Sequence, residues 1–223
     1  MEFDSFALMA STATLGDEPR VRDHADMVEF RMDLATDPLD QLAAYDGELP
    51  ILATNRASWE GGKATGGETR LDALETAVQN DAVAAIDLEL ETLLSGDGKR
   101  VIEQARQHDA AVVASIHDFE TTPPKKRMYE LLERATDHAD VGKLAVTANS
   151  RSDVLDLFSV TDRLTEDGRR VATIAMGEIG RHSRAVAPVY GSKIGYAPLD
   201  SADATAPGQY DLATLSHLVQ ELS

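Results

Sequence analysis

The chain contains no cysteine, which excludes disulfides and thiolate chemistry and is consistent with a reducing compartment. No apolar run approaches the roughly 18 residues that a membrane-spanning helix needs. The opening Met1-Glu2-Phe3-Asp4 is acidic where a secretory leader is basic, so a soluble cytoplasmic protein is expected. The first strand-like run is not followed by the G-x-G-x-x-G fingerprint of a dinucleotide site. No Gly-Lys-Ser/Thr opens a helix as a phosphate cradle requires, and no two histidines have the helical spacing of zinc ligands. Interdomain linkers, low-complexity tracts and repeats are also missing. With 223 residues and 43% hydrophobic content, one domain over 1–223 is expected.

Positive charge is scarce as well: 21 Lys and Arg stand against 39 Asp and Glu, a net of −18. That field argues against nucleic acid as a partner, because phosphate binding needs a basic face. Any anion site must therefore be a local cluster of arginines. The acids spread through nearly every helical stretch instead of forming a tail. Adaptation to high salt is the expected reading, since salt screens self-repulsion and acidic surface holds water; an ordinary acidic cytosolic enzyme is the alternative.

Lysine is rarer still, with six residues against fifteen arginines, and one of the six is out of place. Lys143 sits within Val141-Gly142-Lys143-Leu144-Ala145-Val146-Thr147, a run with the length and branched composition of a buried strand. An ammonium there costs several kcal/mol unless it is paired or neutral. Desolvation lowers a lysine pKa and makes the amine nucleophilic, as imine chemistry on a carbonyl requires. A structural ion pair is the plainer alternative for one such residue.

Eight short apolar runs occur, at 6–12, 27–34, 50–55, 84–90, 110–117, 141–147, 171–177 and 189–196, and helical patterns separate most of them. Pro38 opens one helix, Asp97 can cap another, Thr122-Pro123-Pro124 precedes a third, and Asn149 or Ser150 can cap a fourth that Gly168 ends. Strands alternating with helices imply a parallel sheet. Eight units favour a closed (β/α)8 TIM barrel, with a doubly wound open sheet as the other possibility.

Alternate residues of a strand face the same way. Glu29, Arg31 and Asp33 therefore share one face and Val28, Phe30 and Met32 the other; Asp87 pairs with Glu89, Thr54 with Arg56, Ser115 with His117, and Lys143 with Ala145 and Thr147. In a barrel the apolar face packs under the helices, so the charged face is the lumen. A solvated sheet face would alternate too, but it would have to recur on five strands joined by helices. The charges are expected to neutralise one another, with Asp87 and Glu89 serving Arg31, Arg56 and Lys143. Asp87 and Glu89 as metal ligands, or His117 as a satisfied core histidine, are the competing readings.

Five segments in order complete the picture: Glu29-Phe30-Arg31-Met32-Asp33, Arg56-Ala57-Ser58-Trp59-Glu60-Gly61-Gly62, Ser115-Ile116-His117-Asp118-Phe119, the Lys143 run, and Ala206-Pro207-Gly208-Gln209. Together they give a chain that resembles type I 3-dehydroquinate dehydratases over nearly its whole length. The resemblance implies a barrel that dehydrates 3-dehydroquinate to 3-dehydroshikimate through an imine, with no metal or dissociable cofactor, and it suggests a homodimer. It implies Lys143 as the Schiff-base lysine, His117 as general acid/base, and Glu60 as the carboxylate that orients the histidine and raises its basicity. Arg184 would grip the substrate carboxylate. Glu29, Arg31 and Arg56 would bind ring hydroxyls, and Gln209 would close over the substrate.

The chain departs from the family in three places. Thr205 stands where members commonly have serine, Tyr196 where the pocket aromatic is often Phe, and the short start implies loss of a hairpin that plugs the barrel bottom in longer members. Two rivals share the pattern. A class I aldolase would use the same imine but needs a phosphate site, for which the last two strands show no Gly-rich signature. A non-catalytic ligand-binding barrel would be expected to have lost the lysine or the histidine.

Overall fold

The structure, a computed structural model, describes residues 3–65, 67–203, 206 and 208–222. Its strands are β1 (Ala7–Thr12), β2 (Met27–Arg31), β3 (Ile51–Thr54), β4 (Val83–Glu89), β5 (Ala111–Asp118), β6 (Val141–Thr147), β7 (Val171–Met176) and β8 (Ile194–Pro198). They form one eight-stranded sheet in the order β7-β6-β5-β4-β3-β2-β1-β8. Every pairing in it is parallel. The sheet curls until the Lys193 N–H, just before β8, donates to the Val171 carbonyl at the start of β7 at 2.7 Å. This is the barrel that the alternation of runs implies, and not the open sheet.

Around it lie α1 (Glu18–Val21), α2 (Pro38–Ala43), α3 (Glu68–Ala77), α4 (Leu90–Ser95), α5 (Lys99–Gln107), α6 (Lys125–His138), α7 (Arg151–Glu166), α8 (Ser183–Val186) and α9 (Leu212–Leu222). Local chemistry sets several of their ends. Pro38 occupies the first turn of α2, where a missing N–H costs nothing. Ser150 and Asp153 form a reciprocal capping box at α7, and Gly168 follows that helix at φ 76°. Asp97 does not cap α5: Gly98 holds that position, and Asp97 accepts a hydrogen bond from Ser95 Oγ at 2.9 Å.

The last strand lies later than the sequence pattern suggests. Residues Ala187–Tyr190 form a 3-10 turn that ends at Gly191, whose φ is 91°. The strand itself is Ile194–Pro198. Val189 is exposed, so its apolar character contributes nothing to the sheet.

Two apolar layers follow from strand parity. Val28, Phe30, Ile51, Ala53, Ile86 and Leu88 point outward under the helices, and Leu144, Val146 and Ala175 do the same beside α6 and α7. Inside, Met9, Met27, Leu52, Val113, Val141 and Ile194 fill the lumen, together with Phe3 from ahead of β1. Above this plug the inward positions turn polar. The floor of the barrel is thus packed solid, and its strand C-termini are left to build a site.

Candidate active site

Lys143, in the middle of β6, is 4% exposed and is the buried member of the six lysines. Its Nζ lies 3.2 Å from Asp87 Oδ2 on β4 and 4.2 Å from the centre of the Tyr196 ring on β8. Parallel register sets Ser115 beside Lys143 and Glu89 beside Ser115, which brings polar positions of three adjacent strands to one level.

The lumen charges neutralise one another mainly as anticipated. Arg56 Nη2 is 2.7 Å from Asp87 Oδ1, and its Nη1 is 3.2 Å from Glu89 Oε1. Ser115 Oγ accepts from Arg56 and donates to Asp87 Oδ1 at 2.7 Å. Burial alone would raise the Asp87 carboxyl, but Arg56, Lys143 and the Ser115 hydroxyl outweigh it and hold the group well below the usual carboxylate range. Burial would likewise lower Arg56, yet Asp87 and Glu89 keep it firmly protonated. With Asp87 and Glu89 both committed to cations, the metal-ligand reading of the pair has no support.

Arg31 is the exception. Its guanidinium forks onto Asp33, with Nε–Oδ1 at 2.9 Å and Nη2–Oδ2 at 2.8 Å, and not onto Asp87 or Glu89. The third cation of the network is Arg70 of α3, whose Nη1 lies 2.9 Å from Glu89 Oε2. Sequence reasoning missed it, since Glu68-Thr69-Arg70 reads as the solvated start of a helix. Arg70 also lies under the ring of Trp59, 5.5 Å from its centre. Glu89 further accepts from the Ala57 N–H at 2.9 Å, so the loop after β3 is fastened to the barrel's own ion-pair network.

That loop presents Glu60. Its Oε2 is 2.7 Å from His117 Nδ1 at the end of β5, leaving Nε2 as the nitrogen available to a ligand. Gly61 follows at φ 78°, and a side chain there would run into the ring of Phe119. Phe119 in turn stacks on His117, with ring centres 5.7 Å apart and planes 8° from parallel. Burial pushes the Glu60 carboxyl up to about 7 against the pull of Arg56. Burial, then Arg56 and Lys143, hold His117 well below its ordinary value. A histidine made more basic by Glu60 was the expectation; the surrounding cations and the loss of solvent reverse the direction.

Arg184 reaches the site from α8. It is buried, its Nε has no hydrogen-bond partner, and no carboxylate pairs with it among the described residues. Burial accordingly lowers it to about 10. Glu29 accepts from Ser11 Oγ at 2.5 Å and from Thr54 Oγ1 at 3.3 Å. The Gln209 side chain accepts from the Ala206 N–H at 3.1 Å. Thr205 lies outside the described residues.

One small cavity, partly open to solvent, is lined by Glu29, Arg31, Arg56, Glu60, His117, Lys143, Arg184 and Gln209. The structure thus gathers every described residue that the sequence nominated. It adds Ser11 and Phe119, and Tyr196, expected as the pocket aromatic, lines the same cavity. Chemically, the cavity offers a buried amine, an imidazole joined to a carboxylate, and a guanidinium lacking an anion.

A nearly closed parallel barrel with such a constellation at its C-terminal mouth defines an enzyme that handles a small anionic carbonyl compound. Residues 12–223 match the family model for type I 3-dehydroquinase, and the chain belongs to that family. It is 58% identical over 225 residues to the 3-dehydroquinate dehydratase of Haloarcula marismortui, covering 100% of this chain and 98% of that one. The corresponding protein of Halobacterium salinarum is 51% identical and is covered in full, as is this chain. Among solved structures, the 3-dehydroquinate dehydratase of Geobacillus kaustophilus HTA426 superposes with a TM-score of 0.87 at 25% identity, over 98% of this chain and 91% of that one. None of the helices described is long and apolar enough to cross a membrane.

Proposed function

We propose that the whole chain forms one catalytic domain that dehydrates 3-dehydroquinate to 3-dehydroshikimate, the shikimate-pathway reaction of its family, through an imine at Lys143. One observation carries this reading: the buried lysine amine opens onto the same cavity as the His117–Glu60 pair and the unpaired Arg184. A purely structural lysine would need no cavity, and an ion-pair network alone would not leave one guanidinium without an anion.

The roles follow from position. Arg184 binds the substrate carboxylate with its planar fork, and this gain offsets the cost of burying the cation. Glu29, Arg31 and Arg56 hydrogen-bond the ring hydroxyls, and their own partners, Ser11, Asp33 and Glu89, fix their directions. Thr205 and Gln209 would cover the substrate from the loop after β8.

Lys143 gives up a proton to His117, which lines the same cavity, and its nitrogen bonds to the ketone carbon. The carbinolamine loses its hydroxyl as water, with a proton supplied by His117, and an iminium remains. That cation draws electrons from the neighbouring C–H bond while His117 takes the proton. The enamine then returns its electrons to expel the hydroxyl at the next carbon, which leaves as water with the proton from His117. Hydrolysis of the iminium frees the product and restores the amine.

Borohydride in the presence of 3-dehydroquinate is expected to add one reduced adduct to Lys143, read by peptide mass. An unmodified Lys143 under turnover conditions would sink the imine. A phosphorylated ketose is expected not to turn over, which separates this reading from an aldolase. The same reading makes the protein a cytoplasmic homodimer, supported by the family resemblance and the lack of cysteine; light scattering on the purified protein tests its mass.

A further inference from the structure

Tyr196 is buried on β8 and lines the cavity with Lys143. Its hydroxyl has no hydrogen-bond partner among the described residues. A buried hydroxyl without a partner is disfavoured, so it calls for an explanation. Packing does not supply one. The ring belongs to the apolar lumen cluster with Met9, Ile174, Met176 and Ile194, and a phenylalanine would serve that packing as well.

The acceptors nearby are already occupied. Asp87 is taken by Arg56, Lys143 and Ser115, and Glu29 by Ser11 and Thr54. Burial, followed by the charges of Asp87 and Glu29, holds the phenol protonated far above its ordinary range. The group is therefore a donor. The ring face, meanwhile, stands 4.2 Å from Lys143 Nζ, within the range where an aromatic face attracts a cation.

We propose that Tyr196 is a further catalytic residue of this enzyme: its ring shelters the positive charge on the Lys143 nitrogen, and its hydroxyl donates to a substrate oxygen near the carbon bonded to that nitrogen. The charge on nitrogen is present in the ammonium and again in the iminium, so the same face serves both. The hydroxyl gains its partner only when substrate occupies the cavity, which accounts for its lack of one here. This assignment rests on the imine reading above.

The test compares wild type, Tyr196→Phe and Tyr196→Leu for kcat, KM, borohydride trapping and thermal midpoint. Tyr196→Phe is expected to lose about 10-fold in kcat/KM, the worth of one donated hydrogen bond, while its midpoint stays level or rises. Tyr196→Leu, which removes the ring as well, is expected to lose more in kcat and to trap the adduct more slowly. A merely structural tyrosine would show the opposite pattern, a lowered midpoint with native kinetics. An adduct in wild type together with native constants in Tyr196→Phe overturns the role of Tyr196 alone. No adduct in a wild type that turns over substrate overturns the imine beneath it.

Discussion

Asp87 stands between two cations, with Oδ1 2.7 Å from Arg56 Nη2 and Oδ2 3.2 Å from Lys143 Nζ. One carboxylate on β4 thereby fixes the lysine and the arginine that face the substrate. Asp87→Asn leaves Lys143 buried without its carboxylate partner and Arg56 with Glu89 alone. It is expected to cost about 3–5 kcal/mol of stability, the usual penalty for breaking a buried pair, and to depress kcat. Urea unfolding followed by circular dichroism checks the first part; an unmoved midpoint would show that Asp87 is not their counter-ion.

The Glu60–His117 pair titrates as a unit. It accepts a proton from substrate only while it holds a single proton itself. Burial lifts Glu60 to about 7, so kcat/KM is expected to fall as pH drops below about 7. Glu60→Gln cannot take up that second proton, and its acid limb should move to lower pH above a reduced plateau. The same shift has a sign in stability. A carboxyl raised on folding contributes fully below its unfolded value, and that contribution is lost as pH rises through about 7. Glu60→Gln should therefore gain on wild type between pH 5 and 8, by up to about 3 kcal/mol. Identical acid limbs and parallel stability curves would dismiss both statements.

Gly61 is held at φ 78° with the Phe119 ring where a side chain would go. Gly61→Ala combines backbone strain with a clash that pushes on the ring stacked against His117. A loss of about 1–3 kcal/mol is expected, accompanied by a lower kcat because Glu60 is displaced. Adding Phe119→Ala should recover part of the stability, so the double variant loses less than the sum of the singles. Strict additivity would mean that the ring plays no part.

Net charge of −18 and relatives from Haloarcula and Halobacterium lead to one prediction about solvent. The thermal midpoint is expected to rise steeply between low salt and molar KCl as surface repulsion is screened. A midpoint independent of salt would remove charge as the governing factor.

Strand parity made most of this site legible. Glu29, Arg56, Asp87, His117 and Lys143 sit inside because their neighbours Phe30, Ile86, Leu88 and Leu144 must sit outside, and that choice is local to each strand. Three matters were not local. The 3-10 turn over Ala187–Tyr190 carries apolar residues like a strand, and only the close fit of Gly191 against Thr165 reveals why the chain turns there. Arg70 looks solvated in its own helix until the barrel closes and brings Glu89 beneath it. The direction of the His117 shift is set first by burial and then by Arg56 and Lys143, which come from the loop after β3 and from β6.

Trp59 is the one tryptophan of the chain. It is 51% exposed, directly precedes Glu60, and rests on Arg70. Its fluorescence therefore arises beside the carboxylate that serves the imidazole. Occupancy of the barrel mouth should be readable in unlabelled protein from emission intensity alone.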